Sequence, residues 1–269
     1  PTVKAKPNLM VVLDDSGSMA WKHMPDSLAD KDGDPYTDWY GYRTAQCNGV
    51  GYDPSMTYSP PVKYDGSSYP NAIPTSAKSN GYDSGSTAYD VSSSNYYTYS
   101  GTQTKLGWKY TDAGGKTPVN NTFYKECSSE EDKSPGKSVF TKVNVSSLSA
   151  ADKTNYANWY SYYSKRYLLM RTAMGQAMSV LDDSYRVGFS TIHEGGFTSG
   201  GDYKFLDVKD FSGGQPDTRL IFTTVFTPSN LKTARLCVRP SPTRVDISQR
   251  NTQGKQTQCS THVSATTRC

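Results

Sequence analysis

The sequence predicts an α/β fold: a short, open sheet with a parallel strand pair, interrupted after its first strand by a long loop-rich insertion. Three observations lead there. Residues 9–13 (Leu-Met-Val-Val-Leu) form an apolar run that ends in the polar turn Asp14-Asp15-Ser16-Gly17-Ser18. An uninterrupted apolar run bounded by such a turn is the pattern of a strand buried on both faces of a parallel sheet. Residues 156–181 place Trp159, Tyr163, Tyr167, Met170, Met174, Met178 and Leu181 at spacings of three and four, which predicts one long helix with an apolar face toward the sheet. Residues 185–192 (Tyr-Arg-Val-Gly-Phe-Ser-Thr-Ile) and 205–208 then read as a second and a third strand. Three strands and one helix make an incomplete core.

The turn after the first strand carries the chemistry. Ligands of open α/β sheets bind at the carboxyl ends of the strands, where this turn lies. Asp14, Ser16 and Ser18 can direct a carboxylate and two hydroxyls at one hard divalent ion and leave a coordination position for a partner's carboxylate. Oxygen donors of this kind suit Mg²⁺, Mn²⁺ or Ca²⁺ better than Zn²⁺. The bland reading is a Ser/Gly turn. Two enzyme readings fit poorly: a haloacid-dehalogenase-type phosphatase wants Asp-x-Asp, and position 16 is Ser. A subtilisin-like peptidase needs His and Ser motifs, yet the chain has only His23, His193 and His262 and no Gly-Thr-Ser-Met-Ala-like segment. An α/β hydrolase using Asp14 or Ser16 stays as the alternative function, and it lacks a visible base. The chain is therefore expected not to be an enzyme.

Composition points to an exported protein. Hydrophobic content is only 35%, and the chain is rich in Tyr, Ser, Gly and Asn. No run approaches the ~20 apolar residues of a membrane span, so no transmembrane segment is expected. The chain opens at Pro1 without an initiator Met, so the absence of a signal peptide at this end says little about export. The insertion, about residues 20–153, holds 14 of the 21 tyrosines and should form a partly ordered surface lobe. Tyr, Ser, Gly and Asn also make adaptable recognition surfaces. Within it, Asp30, Asp32, Asp34 and Asp38 are spaced as in a calcium loop. Pro35 stands where an EF-hand needs Gly, and Gly41 where it needs Glu, which leaves a solvated acidic turn as the competing reading.

The Asp14-x-Ser16-x-Ser18 string resembles the metal-ion-dependent adhesion site of von Willebrand factor A domains, which have a Rossmann-like core. Four longer strings extend the likeness: Asp14-Asp15-Ser16-Gly17-Ser18-Met19 with Met24-Pro25-Asp26; Tyr52-Asp53-Pro54 with Thr57-Tyr58-x-Pro60-Pro61; Asn158-Trp159-Tyr160-Ser161-Tyr162-Tyr163; and Tyr185-Arg186-Val187-Gly188-Phe189. Together they resemble the amino-terminal region of the PilC/PilY family of type IV pilus tip-associated adhesins, over about residues 7–214. The resemblance implies a partial A domain in residues 1–214, at the cell surface on the pilus tip or outer membrane. It implies pilus subunits or a host or surface ligand as partners, and roles in pilus biogenesis, twitching motility and attachment. It also implies a divalent cation in the full-length parent, with further ligands on two later loops.

From about residue 214 the chain changes character. No Tyr or Trp follows Tyr203; residues 1–212 carry 21 basic and 23 acidic groups, and residues 213–269 carry 8 and 2. Such a basic tail would ordinarily suggest nucleic acid or membrane. The genetic code offers a different account, and no nucleic-acid partner is expected. Reading Lys232 to Cys237 from each codon's third base permits Asn-Gly-Thr-Pro-Leu-Arg, and Gly-Thr-Pro-Leu-Arg is the PilC/PilY pattern expected here. In the same frame the shifted codons that end within Cys259 to Thr266 permit Val-Gln-Tyr-Ser-Cys-Gln-Arg-Asn, another string like the family's. Residues 215–269 thus read as an out-of-frame, disordered tail beginning near 215–220. The nucleotide sequence across codons 213–269 checks this: a shifted open frame running on through Gly-Thr-Pro-Leu-Arg is expected, and finding that only the frame encoding the printed residues stays open would overturn it. Without Cys237, Cys259 and Cys269, only Cys47 and Cys127 belong to the body, and they are expected to form a disulfide. The metal site would lose its later ligands, so this chain should bind Mg²⁺ weakly or not at all.

Overall fold

A computed structural model describes residues 5–30, 33–63, 66–101, 108–110, 116–118, 126–128, 139–192 and 205–211, all within the unit Pro1–Arg235. The elements run β1 (Asn8–Leu13), then inside the insertion β2 (Ala77–Lys78), β3 (Ala88–Tyr89), β4 (Asn95–Tyr99), β5 (Trp108–Tyr110), β6 (Lys116–Pro118) and β7 (Phe140–Asn144). They continue with α1 (Ala150–Tyr162), α2 (Arg166–Ser179), β8 (Arg186–Thr191) and β9 (Phe205–Asp210). The architecture is mixed α/β. The predicted tail lies outside the described residues.

The central sheet has the order β1-β8-β9. β1 and β8 are parallel, with Leu9 opposite Val187, Val11 opposite Phe189 and Leu13 opposite Thr191. β9 returns antiparallel to β8, with an irregularity between Val187 and Phe189. Val11, Leu13, Val187, Phe189 and Phe211 form the core on one face, covered by Met170, Met174, Met178 and Leu181. The other face departs from the expectation of a strand buried on both sides. Met10 and Val12 are 43% and 59% exposed, because among the described residues only α2 and the segment after it supply an apolar layer to this sheet.

The long predicted helix is two. Tyr163 N–H still reaches Trp159 O at 2.8 Å, but Ser164 Oγ–H then donates to Tyr160 O at 2.6 Å, and Lys165 is extended (φ −134°, ψ 153°). The side-chain donor takes the carbonyl that the next turn would have used, and the helix stops. The break lets one stripe serve two partners: Tyr156, Ala157, Trp159 and Tyr160 pack into the insertion lobe, while the methionines of α2 pack on the sheet. α1 also begins earlier than its apolar pattern suggests. Ser149 caps it, accepting from Asp152 N–H at 3.2 Å and donating to Asp152 Oδ2 at 2.7 Å.

The lobe is built from small antiparallel pairs (β2 with β3, β4 with β7, β5 with β6) around tyrosine-rich cores. Tyr52 stands edge-on to Tyr96, Tyr156 and Trp159, with ring centres 4.8, 4.9 and 5.7 Å apart. Tyr40 stacks on Phe140 at 4.9 Å beside the Cys47–Cys127 disulfide, whose Cα atoms lie 5.8 Å apart. Edge-to-face pairs let phenol rings replace aliphatic packing while each hydroxyl finds a partner. Tyr162 donates to Pro70 O at 2.9 Å and Tyr163 to Ser59 O at 2.6 Å. Burial pushes the Tyr58, Tyr156 and Tyr162 phenols up to about 12. Burial thus keeps these phenols protonated at neutral pH.

Arg166 joins the two ends of the insertion. Its backbone N–H meets Trp21 O at 3.2 Å, its Nε–H donates to His23 O at 2.7 Å, its Nη2 pairs with Asp26 Oδ1 at 2.5 Å, and its guanidinium lies 5.0 Å over the Trp21 ring. A second tie runs through Tyr82, whose hydroxyl meets Thr172 Oγ1 at 2.8 Å and whose ring lies 3.7 Å from the buried Arg171 guanidinium. A long insertion is tolerated when its ends are held close.

Candidate functional site

The site is the turn at the carboxyl end of β1. The apolar strand ends at Leu13, and Asp14 Oδ1 accepts the Ser16 N–H at 2.8 Å, a tight turn that Asp is suited to make. Ser16 then opens a short 3-10 helix, Gly17–Ala20, in which Met19 N–H returns to Ser16 O at 3.0 Å. This winding hydrogen-bonds the Ser16 and Ser18 hydroxyls to each other at 3.0 Å. Asp14, Ser16 and Ser18 are half-buried, so all three stay within reach of solvent at the sheet's end.

The donor set suits a hard cation. Adjacent ligands of an octahedral ion with bonds of about 2.1 Å lie about 3.0 Å apart, the separation of the two hydroxyls. One Asp14 oxygen is committed to the turn, and the other is the one a cation would take. Ser16, Ser18 and Asp14 would hold the ion, and the remaining positions would have to come from elsewhere. Among the described residues no three His, Cys, Asp or Glu side chains group as metal ligands.

In the acidic loop of the insertion, the described residues form a hydrogen-bonded turn. Asp30 Oδ1 accepts the Asp34 N–H at 3.0 Å, Gly33 N–H returns to Asp30 O at 3.1 Å, and Gly33 adopts φ +89°, which a side chain would strain. Asp30 thus acts as a turn cap. Asp30, Asp34 and Asp38 do not converge as a ligand group, and Asp32 lies outside the described residues. His23, the described histidine, is 1% exposed and stacks on Trp21 at 5.0 Å, the setting of a packing residue; His193 and His262 lie outside the described residues. Cys47 and Cys127 are bonded at a sequence separation of 80.

Two structural features near the candidate site have no sequence signal. Arg166 fixes the segment that follows the turn, and an aromatic cleft opens in the lobe. Neither has a local signature: Arg166 looks like any helix-start cation, and the cleft draws residues from five separate stretches.

The described residues define an α/β sheet domain with an oxygen-bearing turn at the end of its first strand and an aromatic lobe inserted behind that turn. The chain is similar to the type IV pilus biogenesis factor PilY1 of Pseudomonas aeruginosa strain UCBPP-PA14, 30% identical over 195 residues that cover 70% of this chain and 16% of that protein. PilY1 of strain PAK is 29% identical over 201 residues, 70% of this chain and 16% of the relative. PilY1 of strain PAO1 is 28% identical over 221 residues, 77% of this chain and 18% of the relative. The chain thus spans about one sixth of the length of these curated relatives. No family profile matches it, and no solved structure does. Among the described residues, no helix is long and apolar enough to cross a membrane.

Proposed function

We propose that this chain is the amino-terminal region of a PilC/PilY-type factor of type IV pilus biogenesis, and that its sheet is an incomplete von Willebrand factor A-like core presenting a divalent-cation adhesion site. The observation that carries the pilus reading is the similarity to PilY1 over 70% of the chain. The turn supports the finer reading: Asp14, Ser16 and Ser18 stand at the carboxyl end of a strand that pairs in parallel with β8, with two hydroxyls at the spacing of neighbouring ligands. A bound Mg²⁺, Mn²⁺ or Ca²⁺ would offer its open position to an acidic side chain of a pilus subunit or of a surface or host ligand. The protein's own part is to hold the three oxygens in a turn braced by α2, at the cell surface on the pilus tip or outer membrane.

Calorimetric titration of this 269-residue chain with Mg²⁺ should give an affinity no tighter than millimolar if residues 215–269 are read out of frame and so supply no later ligands; a micromolar Kd would overturn that. In cells carrying the full-length gene, Asp14→Ala should abolish the part of surface attachment that chelators also abolish. Attachment that stays divalent-dependent in the variant would sink the assignment of Asp14. Loss of a hydrolytic turnover instead would favour the hydrolase alternative.

A further inference from the structure

We propose that a cleft in the insertion lobe binds a carboxylated pyranose, a sugar acid. The cleft has a volume of about 330 Å³ and lies between β4, α1 and the 3-10 turn Tyr40–Arg43. That volume is in the range of small-molecule sites and suits one or two sugar rings. Asp14, Ser16 and Ser18 do not line it, so the inference does not rest on the cation site.

Charge sets the first requirement on the ligand. Among the described residues, Lys22 and Arg43 line the cleft and no Asp or Glu does. The Arg43 guanidinium donates to Asn95 Oδ1 at 3.1 Å and to Thr37 O at 3.4 Å, among other contacts. A guanidinium held in one plane is arranged to receive a carboxylate. The Lys22 ammonium lies 5.5 Å over the Tyr160 ring. Its side chain is exposed, yet surrounding protein dehydrates it enough to lower its pKa. That pair of properties belongs to a group in the wall of an open cleft, where an anion is held more strongly than on a convex surface.

Ring faces set the second requirement. Half-buried Tyr42, Trp159 and Tyr160 supply aromatic surface. The Trp159 Nε1–H is already given to Val50 O at 3.1 Å, which fixes the indole and leaves apolar surface for contact. Aromatic faces are electronegative and attract the weakly positive C–H face of a pyranose. The Asn95 amide beside these rings adds a polar partner for sugar hydroxyls. An anionic group, a C–H face and several hydroxyls occur together in a uronic or similar sugar acid.

The test uses the full chain and three probes, D-glucuronate, D-glucose and benzoate, followed by saturation-transfer NMR and calorimetry. Glucuronate should bind with a millimolar Kd, with glucose and benzoate each at least tenfold weaker. Lys22→Met and Arg43→Gln should each weaken glucuronate at least tenfold while the far-ultraviolet spectrum stays unchanged, and Lys142→Met in β7 should leave binding as it was. Absence of saturable glucuronate binding would overturn the proposal. So would equal binding of benzoate, or glucuronate binding indifferent to both cleft variants.

Discussion

Replacing Cys47 and Cys127 by Ser should lower the stability of the body by about 4 kcal/mol, the loop-closure value for a cross-link of this span, given a sequence separation of 80. The disulfide sits in a small core with Tyr40, Tyr97 and Phe140, where little aliphatic surface is available to replace it. The segment that carries Cys127 meets the lobe closely: a Cβ added at Gly41 would lie 2.3 Å from Cys127 O. Without the covalent tie, this contact and the Tyr40–Phe140 stack must be held by packing alone. For a domain of this size the melting temperature should fall by roughly 10 °C, read by circular dichroism on the oxidised chain and on the double Ser variant. Coincident melting curves would refute the stabilising role. Non-reducing peptide mapping tests the pairing itself: the peptides of Cys47 and Cys127 should be recovered as one linked species, and alkylation of both as free thiols would exclude it.

Asn48→Ala should be comparably damaging. Asn48 is 2% exposed, and its side chain uses its full hydrogen-bonding capacity across three stretches of chain. Oδ1 accepts from Met24 N–H at 3.0 Å and Val50 N–H at 3.2 Å, while Nδ2 donates to Lys22 O at 3.0 Å and Tyr42 O at 2.9 Å. Alanine strands two amide hydrogens and two carbonyls in a partly dry space. At about 1–3 kcal/mol for each buried donor left without a partner, the loss should reach about 4 kcal/mol. Urea unfolding should show a lower midpoint at unchanged slope. A loss below about 1 kcal/mol would mean that water replaces the amide, and that the site is wetter than its burial indicates.

The parts of this fold that were legible in the sequence are those set by neighbours in the chain. The strand before Asp14 follows from an apolar run, and the turn after it from Asp, Ser and Gly. The helix break at residues 163–165 escaped because it contains neither Gly nor Pro, and because spacings of three and four continue through it. The stripe was real but served two partners, a fact of tertiary packing. One-sided burial of β1 was equally illegible, since an apolar strand does not record which layers reach it. In the Asp30 loop, a carboxylate at calcium-loop spacing also caps a turn, a role that its spacing alone does not record. The lobe read as loops because its cores use tyrosine where most cores use Leu, Ile and Val.

The clasp around Arg166 bears on the order in which the molecule assembles. β1 and β8 pair across 178 residues. In an open chain, bringing together strands so far apart costs about 5 kcal/mol of loop entropy before any sheet contact offsets it. Once the lobe has folded and Arg166 has met Trp21, His23 and Asp26, only the short stretches 13–21 and 166–186 remain to be closed. On this ordering the inserted lobe forms first, and the sheet that bears the Asp14 turn zips up last.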